Sequence, residues 1–371
     1  MRRLGISIYP EKSTVEEMKA YIAQMADAGC SRIFSCLLSI NKPKGAIKEE
    51  FMEVNRFAKE KGFEIFVDVS PRVFSTLGIS YQDLSFFREI YADGLRLDMG
   101  FTGNEEAVMT YNPYGLMIEI NMSNDVSAID TIMDYCPDRY HLCGCHNFYP
   151  HQYSGLPLPY FLKCSERFRK YGVRTAAFVT SQNTDTFGPW PVTDGLPTLE
   201  MHRHLPLDVQ IKHLISLDCV EDMIISNCYP SKEEIEALKN LNLQMVTFEV
   251  EEVSESLSEV ERKILFEELH FNRGDINEYM IRSTQSRVKY KDHTFTLINP
   301  QETLQPGDIV IESSEYGHYA GELQIVKKTM KNSGKSSVVG RIRQEELFLL
   351  DNIRPWQKFR FTEKHCRMLN R

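Results

Sequence analysis

The sequence has no apolar run longer than a strand, so it offers no helix able to cross a bilayer. It has no N-terminal apolar stretch followed by a cleavage site. Met1-Arg2-Arg3 leads at once into a strand-like run, so no signal peptide is expected. Basic charge is not in excess. A net charge of -9 argues against a nucleic-acid partner, because phosphate binding needs a basic face. No Cys-X-X-Cys pair occurs, and 9 cysteines is an odd number spaced unlike a small disulfide scaffold. Reduced thiols and a cytoplasmic location are therefore expected. There is no internal repeat and no low-complexity tract.

What is present is a chain of 371 residues, 42% hydrophobic and 26% charged, which is globular composition with room for two cores. Short apolar segments alternate with longer amphipathic ones. The strands read as Leu4–Pro10, Arg32–Leu38, Phe63–Ser70, Gly94–Asp98, Leu116–Met122, Tyr140–Asn147, Arg174–Thr180 and Asp222–Asn227. The helical stretches read as Thr14–Ala28, Lys48–Lys61, Tyr81–Tyr91, Asn104–Tyr111, Val126–Tyr135, Leu158–Tyr171, His204–Leu217 and Ser231–Asn240. Eight such pairs predict an α/β fold with an N-terminal (β/α)₈ TIM barrel over residues 1–242. A doubly wound open sheet is the alternative, but the first turn is not glycine-rich. From 243 to 371 the texture changes to short segments between turns, which predicts a small β-barrel. Its strands are read at Gln244–Glu251, Tyr279–Ser283, Arg287–Tyr290, Thr294–Leu297, Asp308–Ile311, Glu322–Lys327, Val338–Ile342 and Lys358–Phe361, with an acidic segment at Glu251–Glu261.

In a (β/α)₈ barrel the chemistry sits at the carboxyl ends of the strands. Strand parity turns Arg96 and Asp98 inward, with Leu95 and Leu97 outward, and does the same for Glu119 and Asn121. Three successive strands thus offer Asp68, Asp98 and Glu119. Neighbouring strands are about 4.8 Å apart. Two such carboxylates can stand about 5 Å apart, the spacing of a retaining glycosidase pair. Crowding raises one pKa, which supplies a proton donor near neutral pH. The alternative is that these acids are structural partners of Arg72 and Arg96. Of the three, Glu119 is assigned as acid/base and Asp98 as nucleophile or stabiliser, with Asp68 in reserve.

Other strand ends add polar groups. His146, Asn147 and Tyr149 suit hydrogen bonding and stacking to a sugar, together with Asn121 and Asn227. Cys143, Cys145 and His146 raise the question of zinc. The missing fourth ligand argues against it, so no metal and no cofactor is expected. In the long segment from Ser181 to Arg203, Glu200 and Arg203 either serve the site or open a helix. Ser231-Lys232-Glu233-Glu234 is either an anion site at a helix start or an ordinary cap. Arg72, Arg96 and Arg203 are candidates for anionic groups. In the second domain, the polar stretches around Arg273 and Arg282 and the Arg354-Pro355-Trp356 run either wall the barrel mouth or join the domains. No lysine stands at an inward strand end, which counts against a Schiff-base aldolase.

The runs Gly5-Ile6-Ser7-Ile8-Tyr9-Pro10, Leu95-Arg96-Leu97-Asp98, Glu119-Ile120-Asn121-Met122-Ser123-Asn124, Cys145-His146-Asn147-Phe148-Tyr149-Pro150, Gly195-Leu196-Pro197-Thr198-Leu199-Glu200 and Arg282-Ser283-Thr284 closely resemble the bacterial 6-phospho-N-acetylmuramidase family. The resemblance spans essentially the whole chain. It implies a (β/α)₈ barrel followed by a cyclophilin-like β-barrel. It also implies hydrolysis of 6-phospho-N-acetylmuramyl-N-acetylglucosamine, a phosphorylated amino-sugar disaccharide, in peptidoglycan recycling. The rival readings are another phosphosugar enzyme, such as an isomerase or epimerase, and a non-catalytic sugar-phosphate-binding protein.

Overall fold

The computed structural model describes residues 1–37, 44–191 and 194–364. Leu38 at the end of the second expected strand, residues 192–193 of the Ser181–Arg203 segment and residues 365–371 lie outside them. The chain divides into two compact units, Met1–Leu214 with Asp218–Leu241, and Ile215–Leu217 with Asn242 onward.

In the first unit eight parallel strands close in chain order. They are β1 (Arg3–Ile8), β2 (Cys30–Cys36), β3 (Glu64–Val69), β4 (Gly94–Leu97), β5 (Met117–Asn121), β6 (Leu142–Cys145), β7 (Arg174–Val179) and β8 (Asp222–Ile225). The pairing of β1 with β8, with Gly5 opposite Ile224, closes the ring and excludes the open sheet. The helices are α1 (Val15–Asp27), α2 (Lys44–Glu60), α3 (Pro71–Leu77), α4 (Ser85–Glu89), α5 (Asn104–Met109), α6 (Ala128–Asp134), α7 (Leu158–Arg169), α8 (Leu207–Leu217) and α9 (Lys232–Lys239).

Local chemistry sets these limits. Thr14 and Glu17 form the expected capping box of α1, and Ser231 and Glu234 form that of α9. After β3 two short helices replace the single expected stretch. Pro71 opens α3 at a position where its missing N–H costs nothing, and Gly78 ends it at φ 60°. β6 starts later than expected because Arg139–His141 form a 3-10 turn capped by Asp138. Outward residues such as Leu95, Leu97, Ile118 and Ile120 are buried between sheet and helices. Gly144 is needed on that outer face: a Cβ there would stand 2.7 Å from the ring of Phe168 on α7.

The second unit adds β9 (Val246–Val253), α10 (Glu259–Phe266), β10 (His270–Phe271), β11 (Met280–Ser283), α11 (Gln285–Lys289), β12 (Thr303–Leu304), β13 (Asp308–Glu312), β14 (Leu323–Val326), β15 (Met330–Lys331), β16 (Ser336–Ile342) and β17 (Lys358–Glu363). Seven strands form one sheet in the order β10-β17-β9-β16-β13-β14-β11, and β12 pairs with β15. Only β9 and β17 run parallel within the sheet. Its two ends approach each other. Arg273 N–H donates to Arg282 C=O at 3.1 Å, and His270 Nδ1 lies 2.9 Å from Ser283 Oγ. The result is a nearly closed, mostly antiparallel sheet.

Two expectations in this unit are corrected. Arg287–Tyr290 is not a strand; Arg287 lies in α11, which Tyr290 N–H closes by donating to Ser286 C=O at 2.9 Å while Ser286 Oγ donates to Gly321 C=O at 2.6 Å. Thr294–Leu297 is not a strand either. Phe295 exchanges bonds only with the turn residue Ser314, so no ladder forms. The acidic segment ends in a helix, α10, nucleated by the Ser258–Glu261 capping box.

Candidate active site

The barrel interior is charged from floor to mouth. At the floor, Asp222 on β8 accepts from Arg3 Nη2 at 2.8 Å, Arg174 Nη2 at 2.7 Å and Arg32 Nη1 at 2.5 Å. Burial pushes the Asp222 carboxyl up, but Arg32, Arg3 and Arg174 outweigh it and hold it at about 2. Arg32 is itself 1% exposed and lies over the ring of Phe66, 4.0 Å from its centroid. Its other terminal nitrogen, Nη2, donates to Glu119 Oε2. Glu119 is fully buried, with Cys143 Sγ 3.7 Å from Oε2. Glu119 Oε1 has no hydrogen-bond partner among the described residues. Glu119 therefore belongs to a buried ion ladder running up from the floor.

The mouth is organised by Arg96. Strand register sets Asp68 beside Arg96 and Arg96 beside Glu119. Arg96 Nη1 donates to Asp68 Oδ1 at 2.6 Å and reaches Asp98 Oδ1 at 3.3 Å; Nη2 donates to Asn147 Oδ1. Two carboxylates thus flank one guanidinium nitrogen. Their environments differ. Asp68 is buried, whereas the Asp98 side chain is 35% exposed. Burial raises the Asp68 carboxyl to about 7; Arg96 opposes the rise and Asp98 adds to it. One acid near neutrality beside a partly solvated neighbour is the arrangement of a proton donor and its partner. Phe34, Phe148 and Phe178 form an aromatic cluster close by, with centroids 5.1–6.0 Å apart and Arg96 6.0 Å from the Phe34 ring.

Asn121 and Asn147 join this site. Asn121 Nδ2 donates to Asp98 C=O at 3.1 Å, and its Oδ1 accepts from Ser123 N–H at 3.0 Å. Ser123 Oγ in turn accepts from Asn147 N–H at 2.7 Å. Tyr149 is half-buried two residues beyond Asn147. Arg72 stands exposed at the start of α3, directly beyond β3.

The remaining candidates bond chiefly to other groups, although His146 Nδ1 lies 3.4 Å from Ser123 Oγ. His146 is buried against α7, with its ring 4.4 Å from Phe161 and Nε2 3.0 Å from Ser165 Oγ. Burial lowers its pKa to about 3, so it stays neutral. Cys143 faces Glu119 while His146 faces α7, so they do not converge on one point. Among the described residues no group of three or more His, Cys, Asp or Glu is placed to hold a metal ion.

Arg203 is 2% exposed and fully engaged. It donates to Glu200, to the carbonyls of Asp194 and Gly195, and to those of Tyr149 and His151, at 2.7–3.2 Å. Glu200 also accepts from Tyr153 N–H at 2.9 Å and Gly155 N–H at 2.7 Å. Together they staple the loop after β6 to the loop after β7. Asn227 ties β8 to the same region through Ser181 and Thr186. The start of α9 is an ordinary cap, because the Glu234 carboxylate occupies it, accepting from Ser231 N–H, Gln182 N–H and Ser181 Oγ.

Arg32 and Ser123 were missed from sequence. Arg32 had a usable signal: parity in Arg32-Ile33-Phe34 puts it inward beside Phe34. Ser123 follows β5 and acts through a loop, where strand parity no longer applies.

The first unit is a closed (β/α)₈ barrel that carries two carboxylates and an arginine at its mouth, where barrel enzymes place their chemistry. Family models for the 6-phospho-N-acetylmuramidase N-terminal and C-terminal regions match residues 4–240 and 246–362, and the chain belongs to that family. A crystal structure of an uncharacterized B. cereus protein is 47% identical, covers 98% of this chain and 99% of its own, and superposes with a TM-score of 0.88. A conserved protein of unknown function from Enterococcus faecalis, 23% identical over 98% of this chain and 96% of its own, shares the fold with a TM-score of 0.70. No curated protein matches the chain. No helix among the described residues is long and apolar enough to cross a membrane.

Proposed function

We propose that the protein is a cytoplasmic glycoside hydrolase that cleaves 6-phospho-N-acetylmuramyl-N-acetylglucosamine to N-acetylmuramic acid 6-phosphate and N-acetylglucosamine during peptidoglycan recycling. The observation that carries the reading is the placement of Asp68 and Asp98 on one Arg96 nitrogen at the barrel mouth, in a chain of this family. Asp68 is the general acid: its raised pKa keeps a proton available for the leaving-group oxygen. Asp98 faces the anomeric carbon and either attacks it or orients the substrate's own 2-acetamido group to attack. Water then adds to the sugar, with Asp68 as the base. Glu119 is taken as the support of this pair through the ion ladder, since its carboxylate is committed to Arg32.

Asn121, Asn147 and Tyr149 offer hydrogen bonds to the sugar. Arg72 is the candidate for the phosphate or the lactyl carboxylate, because both terminal nitrogens of Arg96 and all three side-chain nitrogens of Arg203 are engaged by the protein. His146, Glu200, Arg203 and Asn227 position the loops that carry these groups.

The test is incubation with the phosphorylated disaccharide and with its unphosphorylated form, following release of N-acetylglucosamine. Release from the phosphorylated form alone is expected. No release from either would overturn the reading in favour of a sugar-phosphate-binding protein. The anomer first formed separates mechanisms: retention is expected for both the carboxylate and the acetamido route, and inversion would remove both.

A further inference from the structure

A second cluster of charged groups stands in the second unit, remote in sequence from the carboxylates above. Glu322, just before β14, is fully buried. Its Oε1 accepts from Arg282 Nε on β11 at 2.6 Å and from Gln324 Nε2 at 3.3 Å. Its Oε2 lies 3.1 Å from Arg287 Nη1 on α11, yet has no properly aligned hydrogen bond. Register explains the meeting: Arg282 pairs with Gln324 across the ladder, two residues from Glu322. Both guanidiniums also approach the ring of Tyr319, at 5.6 Å and 5.4 Å from its centroid.

Two features make this more than an internal ion pair. Two guanidiniums share a single carboxylate, so positive charge is left over. Neither terminal nitrogen of Arg282 has a hydrogen-bond partner among the described residues, although its side chain is only 20% exposed. A nearby carboxylate, Glu312, offsets part of this charge. Burial raises it to about 7, and Ser336 Oγ holds it at 2.7 Å. Arg273 is engaged by Asp275 at 2.6 Å and does not compete. Beside the arginines Tyr319 is 39% exposed, and Tyr316 leans edge-on to it at 5.7 Å.

We propose that Arg282, Arg287 and Tyr319 form an anion-binding subsite that takes a phosphorylated sugar. The Arg282 fork, held rigid by Glu322, receives the phosphate monoester, and the exposed Tyr319 ring meets the sugar face. Glu322 is the positioning residue. The inference does not depend on the glycosidase reading, because its test involves no turnover.

The full chain, carrying ¹³C-labelled tyrosine, is titrated with N-acetylglucosamine 6-phosphate, inorganic phosphate, N-acetylglucosamine and sodium sulfate. The Tyr319 resonance is assigned by its loss in Y319F. The sugar phosphate is expected to shift that resonance saturably, with inorganic phosphate at least tenfold weaker and the unphosphorylated sugar without effect. In R282Q/R287Q the shift is expected to disappear while thermal unfolding stays cooperative. Should that variant fail to fold, Y319A is followed by calorimetry, where at least a tenfold loss in affinity is expected. No saturable shift in the wild type, an equal response to sulfate, a shift retained in R282Q/R287Q or unchanged affinity in Y319A would each overturn the subsite.

Discussion

Arg96 donates to Asp68 at 2.6 Å, and still the Asp68 carboxyl is held at about 7. Burial is the larger effect and the arginine only tempers it. The same nitrogen reaches Asp98, whose side chain keeps contact with solvent. One cation therefore sits between a buried acid and a partly solvated one, an arrangement suited to acid/base work on a glycosidic bond.

Asp68→Asn and Asp98→Asn should each lower kcat by about 10³-fold, the scale of losing a general acid or an attacking group. For the wild type, kcat should fall as pH rises through about 7, where Asp68 loses its proton. A rate independent of pH between 6 and 8.5 would remove Asp68 from the acid role. Stability gives a second readout. The native carboxyl keeps its proton to higher pH than the unfolded one, so its contribution is complete below the unfolded pKa of about 4. That contribution declines as pH rises towards 7. Denaturant titrations of Asp68→Asn should show a flatter decline over that window.

Arg96→Gln should move the alkaline limb of the kcat profile upward by about one unit or more, because the cation lowers the Asp68 pKa. A merely structural arginine would lower activity without moving the limb. The pH profile of kcat therefore decides between the two, provided circular dichroism shows the variant folded.

The barrel was largely legible in the sequence because short apolar segments alternate with amphipathic helical ones, and polar residues at alternate positions mark one face of β4 and β5. Leu95-Arg96-Leu97-Asp98 already separates the outer face from the inner one, and the register of β3, β4 and β5 then brings Asp68, Arg96 and Glu119 side by side. Parity does not give depth or partner. It could not tell that Glu119 meets Arg32, since that contact crosses the barrel between β2 and β5. Parity also ends where the strand ends. His146, one residue past β6, turns to α7, while Asn147 turns to Arg96. In the second unit the strands are short and the turns carry the structure. There Arg287–Tyr290 reads as a strand because nothing in four residues distinguishes one helical turn from an extended run.

The Arg32–Glu119 pair makes a separable prediction. Arg32→Met leaves Glu119 and Asp222 short of a buried cation and should cost about 3–5 kcal/mol. Glu119→Gln keeps Arg32 paired with Asp222 and should keep kcat within tenfold of wild type. The double variant Arg32→Met/Glu119→Gln should lose less stability than the two single losses added, because the pair is coupled. Loss of turnover in a folded Glu119→Gln would instead return the acid role to Glu119.

Glu200 makes the last prediction, on acid stability. The Arg203 side chain is the largest cause of its lowered pKa, with the N–H groups of Gly155 and Tyr153 adding to it against some burial, and the carboxyl is held at about 2. A carboxylate lowered in the native state stabilises the fold above its unfolded pKa of about 4.3. That stabilisation is lost as pH falls from there through about 2. At pH 7, Glu200→Gln should cost about 2 kcal/mol, the value of charge-assisted bonds to a mostly buried partner. The gap between variant and wild type should close as pH falls below 4. Turnover should fall as well, because Arg203 would no longer hold the Tyr149 and His151 carbonyls in one place. Denaturant titrations at pH 7 and pH 3 measure the gap, and a constant difference at both would show that Glu200 contributes packing rather than charge.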